Sequence, residues 1–154
     1  MKTIVLYSSR SSNTEKIANE IASELDCPCI KISKDFNPST VDLRDFDIVF
    51  LGTGIYGAEP NAELLNYLKE MNPKNNVNFA LFLTWFGRGT TDKAVYDLVK
   101  TIVEDKGCRL LEDYYSCLFE GNIIIARFIF PDSKGHPTAE DLSNARKWAR
   151  EIIE

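Results

Sequence analysis

The strongest constraint in this chain is an alternation between two hydrophobic periods. Ile4-Val5-Leu6-Tyr7, Ile48-Val49-Phe50-Leu51 and Val77 to Leu83 are apolar runs of strand length, without in/out alternation. Between and after them, apolar residues recur on one side only, at helical spacing. Asn13 to Leu25 carries Ile17, Ala18, Ile21, Ala22 and Leu25; Asn61 to Met71 carries Leu64, Leu65, Leu68 and Met71. Asp92 to Lys106 carries Ala94, Val95, Leu98, Val99, Ile102 and Val103. Runs without alternation suit strands covered on both faces, and one-sided spacing suits helices laid on such a sheet. Strand and helix in turn predict an α/β chain, a mainly parallel sheet with right-handed crossovers that put helices on both faces. Ile30 to Ile32 and Leu110 to Phe119 are further strand candidates, and Lys34 to Ser39 is loop. A last helix is expected over Ala139 to Ile153, opened by Thr138-Ala139-Glu140-Asp141, a capping box with Asp in place of Glu.

A length of 154 residues suits a single domain, 1–154, with a full core. The chain has 23 acidic and 18 basic residues, net −5, which argues against nucleic acid as its main partner because phosphate binding draws on an excess of Lys and Arg. No apolar run approaches the ~20 residues of a membrane-spanning helix. The first residues lack the features of a secretory signal, so no membrane insertion and a cytoplasmic protein are expected. Cys27, Cys29, Cys108 and Cys117 are expected to be reduced, and Cys27-Pro28-Cys29 has poor spacing for zinc. Gln is absent and His136 is the single histidine, which leaves little for a histidine-based relay.

In a doubly wound sheet, ligands sit outside the carboxyl ends of the strands. Three segments leave strand ends here with unusual composition: Ser8 to Thr14, Gly52 to Pro60, and Thr84 to Asp92. The first crowds Ser9, Ser11, Ser12, Asn13 and Thr14 around Arg10 on a strand-to-helix turn. A helix N-terminus offers unpaired N–H groups and the positive end of its dipole, and hydroxyls add donors. The loop itself holds no lysine, the next being Lys16, so it suits a phosphate that is held, not one being transferred. It has no glycine, which excludes a Walker loop and a dinucleotide fingerprint. It has no cysteine for a phosphatase, and Leu51-Gly52-Thr53 lacks the phospho-accepting Asp of a receiver domain. A serine-rich helix cap without a ligand is the plainer alternative. The other two segments, Gly52-Thr53-Gly54-Ile55-Tyr56-Gly57-Ala58-Glu59-Pro60 and Thr84-Trp85-Phe86-Gly87-Arg88-Gly89, join glycine to aromatics. Glycine admits close backbone approach. Together the three loops describe a slot for a flat phosphorylated ring.

These motifs resemble those of short-chain flavodoxins. Ser9-Arg10-Ser11-Ser12-Asn13-Thr14 is similar to the family's FMN-phosphate loop, Ser/Thr-x-Ser/Thr-Gly-Asn-Thr, and Glu15-Lys16 continues it. Ser12 stands where glycine is commonest; at a position requiring positive φ a serine costs about 1 kcal/mol. Thr53, Gly54, Ile55, Tyr56, Gly57 and Glu59 fall in a stretch resembling the loop beside the flavin N5 edge. Gly57 matches the glycine whose carbonyl turns toward reduced N5, and Glu59 an acid that some members place near N3. Thr84, Trp85, Phe86 and Gly87 resemble the loop on the other side of the ring with shifted spacing, Trp85 and Phe86 being the two stacking candidates.

The resemblance implies a flavodoxin-like, doubly wound five-stranded parallel sheet of order 2-1-3-4-5. It also implies FMN as cofactor and low-potential transfer of single electrons between redox partner proteins, with no catalytic side chain. Glu15, Glu59, Glu63 and Asp92 would form an acidic rim for partners with basic docking surfaces, interrupted by Arg10 and Arg88, on a monomer or weak dimer. Two other readings stand beside it: an NAD(P)H-dependent flavin reductase acting on quinones or a haem precursor, and a flavin-free interaction domain. Ile123-Ile124-Ile125 and Phe128-Ile129-Phe130 are too apolar for an exposed loop and are expected to extend the fifth strand or cover the flavin side.

Overall fold

The apolar runs assemble into a parallel sheet. The computed structural model describes residues 1–73, 77–121 and 128–154. In chain order its elements are β1 (Thr3–Ser8), α1 (Asn13–Leu25), β2 (Cys29–Lys31), β3 (Ile48–Tyr56), β4 (Glu59–Pro60), α2 (Ala62–Glu70), β5 (Asn78–Trp85), α3 (Thr91–Asp105), β6 (Arg109–Leu110), β7 (Tyr115–Leu118) and α4 (Ala139–Ile153). Short 3-10 turns occupy Pro38–Thr40, Leu43–Asp45 and Pro131–Ser133.

β1 lies between β2 and β3, in register from Thr3 opposite Ile48 to Ser8 opposite Thr53. β3 pairs with β5 from Ile48 opposite Asn78 to Gly54 opposite Thr84. The order is β2-β1-β3-β5, then β6 and β7 sharing the next position. This is the expected 2-1-3-4-5 plan with two corrections. The single strand expected over Leu110 to Phe119 is broken, because Glu112 and Asp113 are exposed and cannot lie in a sheet covered on both faces. Tyr114 then stacks on Tyr96 of α3 at 4.9 Å, while Tyr115 packs near Trp148 of α4. The second correction is β4, a two-residue antiparallel strand that folds back on the end of β3.

Alternate residues of each strand feed two cores. Ile4, Leu6, Val49, Leu51, Phe79, Leu81 and Leu83 meet Leu64, Leu68, Val95 and Val99 on the α2/α3 face. Val5, Tyr7, Ile48, Phe50, Ala80 and Phe82 meet Ile17, Ile21, Ala145 and Trp148 on the α1/α4 face. Burying each of these large side chains is worth roughly 1.5–3 kcal/mol, so a helix is clamped to each face by several of them. α4 begins with the expected capping box: Asp141 N–H donates to Thr138 Oγ1 at 3.2 Å, and Thr138 N–H donates to Asp141 Oδ2 at 2.6 Å.

Among the described residues the four cysteines form no disulfide. Burial pushes the Cys29 thiol up to about 11 and the Cys117 thiol up to about 12. Among the described residues, no helix is long and apolar enough to cross a membrane. Ile123-Ile124-Ile125 lie outside the described residues. Phe128 and Ile129 form no strand and are exposed, whereas Phe130 turns inward and stacks on Phe86 at 5.1 Å.

Candidate functional site

β1, β3 and β5 are neighbours in the sheet, so their carboxyl ends bring the three unusual loops together. The first loop follows Ser8 and enters α1. Ser9 Oγ is buried and has no partner among the described residues. A buried hydroxyl without a partner is uncommon enough to require an explanation, and a ligand is one. Ser12 sits in the left-handed region, φ 63° and ψ 2°, and its side chain caps nothing. The backbone there has the conformation a glycine adopts freely, so the serine is strained. Asn13 Nδ2 donates to Ser11 Oγ at 3.1 Å, which holds these two side chains side by side. Thr14 Oγ1 lies 2.8 Å from Thr84 Oγ1, and both residues are 1% exposed. Arg10 crosses to the second loop: its backbone N–H donates to the Tyr56 hydroxyl at 3.3 Å, and its guanidinium carbon lies 4.5 Å from the Tyr56 ring centroid.

The second loop is a hairpin. Tyr56 pairs with Glu59, and Gly57 and Ala58 both have positive φ, +58° and +65°. Positive φ at both central residues is the signature of a type I′ turn. A Cβ on Gly57 would meet nothing, whereas one on Gly54 would strike the Tyr56 ring, at 2.7 Å from its hydroxyl. Gly54 therefore lets Tyr56 fold over its own strand. Thr53 is fully buried and its hydroxyl is already engaged: it accepts from Asn61 N–H and donates to the Gly54 carbonyl, both at 2.8 Å. Thr53 thus braces the loop from within the chain.

In the third loop Phe86 is held in an aromatic cluster, 4.5 Å from Phe119 and 5.1 Å from Phe130 between centroids. Gly87, at φ +76°, passes so close to Leu118 that a Cβ would lie 2.8 Å from it. Trp85 is half-buried against the α2/α3 core. Between these loops lies a cavity of about 530 Å³, lined by Ile55, Gly57, Ala58, Trp85, Phe86, Arg88, Thr91 and Phe130. Its size and mixed aromatic and backbone lining suit a planar ligand. A larger hollow of about 610 Å³ lies elsewhere, between residues 37–44 and the end of α2, and touches none of these loops.

The structure therefore brings Ile55, Gly57, Trp85 and Phe86 to one cavity. Ser9, Ser11, Ser12, Asn13 and Thr14 do not line that cavity; they sit in the turn that the Arg10 N–H ties to Tyr56 and that Thr14 ties to Thr84. Thr53 and Gly54 stand behind the wall, and Glu59 is exposed on β4. Phe130 lines the cavity from the apolar segment expected to extend the fifth strand or cover the flavin side, while Ala58 and Thr91 lie in the strand-end segments singled out above without having been named as site residues. The acidic rim is partly engaged: Glu15 lies 3.9 Å from Lys31, and Asp92 accepts from the Tyr114 hydroxyl at 3.0 Å.

A parallel sheet with a hydroxyl-rich turn and an aromatic cavity at one end defines a flavodoxin-like protein. A family model for the flavodoxin domain matches residues 4–128, and the chain belongs to that family. It is 27% identical to an uncharacterized protein of Methanocaldococcus jannaschii over 99% of both chains. It is 31% identical over 133 residues to the flavodoxin-like domain-containing protein BilS of Clostridioides difficile, covering 84% of this chain and 65% of that protein. Among solved structures, oxidised Flavodoxin 1 of Bacillus cereus superposes with a TM-score of 0.74 at 16% identity, over 99% of this chain and 97% of that one.

Proposed function

We propose that this chain holds FMN at the carboxyl ends of β1, β3 and β5 and passes single electrons between redox partner proteins. The observation that carries this reading is the buried Ser9 hydroxyl, without a partner among the described residues, in a strand-to-helix turn that Thr14 joins to Thr84, the neighbour of the cavity-lining Trp85. Members of the family bind flavin, usually FMN, and the residues present suit it. Ser9, Ser11, Asn13 and Thr14, with the N–H groups opening α1, would hold the phosphate. Trp85 and Tyr56 would flank the ring, with Phe86 supporting it from the cluster with Phe119 and Phe130. Gly57 and Ala58 would present backbone to its edge. Bound flavin supplies the redox chemistry; the chain binds it, orients it and tunes its potential. Net charge −5 disfavours added negative charge on the ring and favours partners with basic surfaces.

The test is reconstitution of the apoprotein with FMN and with riboflavin. Ser11→Ala removes a hydrogen bond to a charged group, worth about 1.5–3 kcal/mol, so FMN affinity should fall roughly tenfold or more. Riboflavin, lacking the phosphate, should bind variant and parent alike. Unchanged FMN affinity in Ser11→Ala would remove the assignment of this loop.

One observation favours a second reading, a flavin reductase. The cavity continues to Arg88 and Phe130, with Phe128 and Ile129 exposed alongside in the chain, so an apolar substrate would find a surface there. The reductase reading predicts steady oxidation of NAD(P)H with a quinone acceptor by the FMN-loaded protein. The electron-carrier reading predicts none without a partner reductase.

A further inference from the structure

Thr14 and Thr84 reach the site from different directions. Thr14 is the second residue of α1, in the hydroxyl-rich turn; Thr84 is near the end of β5, beside the aromatic loop. Their Oγ1 atoms are 2.8 Å apart, and each residue is 1% exposed. A hydroxyl has one proton and two lone pairs. Two hydroxyls joined by one hydrogen bond share one proton and leave one over. In a buried place that remaining proton needs an acceptor, because a desolvated donor left unmade is costly. Neither Oγ1 has a further partner among the described residues.

Two proton orders exist. If Thr14 donates to Thr84, the remaining proton belongs to Thr84, at the end of the sheet. If Thr84 donates to Thr14, it belongs to Thr14, in the turn where an anion would lie. We propose that Thr84 is a positioning residue for the phosphate. Its hydroxyl donates to Thr14 and so holds Thr14 Oγ1 as a donor toward the loop. The inference rests on the reading of this turn as a phosphate site. An anion accepting from Thr14 would polarise Thr14 and strengthen the bond from Thr84, since chains of hydrogen bonds reinforce one another. Preference for the phosphorylated flavin is then set partly by a residue from the ring-side strand.

The experiment measures dissociation constants of FMN, riboflavin and inorganic phosphate for the apoprotein, for Thr84→Val and for Thr84→Ser. Loss of one neutral hydrogen bond should weaken FMN and inorganic phosphate by about three- to tenfold in Thr84→Val, with riboflavin within about twofold. Thr84→Ser keeps the hydroxyl and should bind FMN within about twofold of the parent. In a Thr14→Val background, Thr84→Val should have no further effect on FMN. Riboflavin affinity falling in step with FMN would reveal a merely structural role and overturn the proposal, as would additive losses in the double variant. Thr84→Ala repeats the measurement should the valine variant fold poorly. If Ser11→Ala weakens FMN while both Thr84→Val and Thr84→Ala do not, the role of Thr84 alone is wrong. If none of these variants affects FMN, the phosphate reading itself fails.

Discussion

Replacing Ser12 with glycine should stabilise the protein. Ser12 opens α1 at φ 63° and ψ 2°, is exposed, and makes no side-chain cap bond. An L-residue in this region crowds its Cβ against the following carbonyl, at a cost of about 1–2 kcal/mol. Glycine removes that clash but loses more backbone freedom on folding, which returns about 0.4–1 kcal/mol. The net gain should be about 0.5–1 kcal/mol, or a rise in melting temperature of roughly 1–4 °C for a chain of this size. Equilibrium urea unfolding of the apoprotein measures it, with an unchanged denaturant slope showing that the comparison is sound. Ser12→Ala is the control. It keeps the Cβ and discards the hydroxyl, so it should show little of the gain. A glycine variant no more stable than the parent, or an alanine variant equally stabilised, would refute the reasoning. The strain would then not lie in φ. A loop relaxed by glycine should also take FMN about two- to fivefold more tightly if the strain opposes the bound form.

Ala58→Gly should likewise stabilise the hairpin by up to about 1 kcal/mol, since Ala58 is held at φ +65° in a turn that favours glycine or asparagine there; thermal unfolding reads it. Gly57→Thr should lower the first one-electron potential of the FMN-loaded protein by tens of millivolts, ~59 mV being tenfold for one electron. Threonine is strained at φ +58° in the present turn, and the turn with the 57–58 peptide flipped, open essentially to glycine alone, strains it further. Redox titration showing equal potentials would sink this account. Asp141 is expected to make stability acid-sensitive. Burial pushes its carboxyl up, but hydrogen bonds from Thr138 N–H, from His136 and from the Thr138 hydroxyl outweigh it and hold the carboxyl below its ordinary value. A depressed carboxyl contributes stability that is present above its unfolded value, roughly pH 4, and is lost as the pH falls through the folded value. Asp141→Asn should therefore cost stability at pH 7 and flatten the decline below pH 4; parallel curves for variant and parent would contradict it.

The sequence by itself determined the local features. The bounds of α1, Asn13 to Leu25, and of α4, Ala139 to Ile153, were legible because amphipathic spacing and a capping box act within one or two turns. The three loops were legible as neighbours because a doubly wound sheet must present its strand ends together. The positive φ of Ser12 was legible only through the motif it departs from. Tertiary structure alone decided the rest. It broke the fifth strand at Glu112 and Asp113, since two carboxylates leave a sheet that helices cover on both sides. It spent the Thr53 hydroxyl on Asn61 and Gly54, and set Phe86 against Phe119 and Phe130. It laid Arg10 over Tyr56, 46 positions away, and joined Thr14 to Thr84 across 70. Backbone preference and periodicity are written in neighbouring residues; which hydroxyl or ring meets which is chosen only when packing closes the distance.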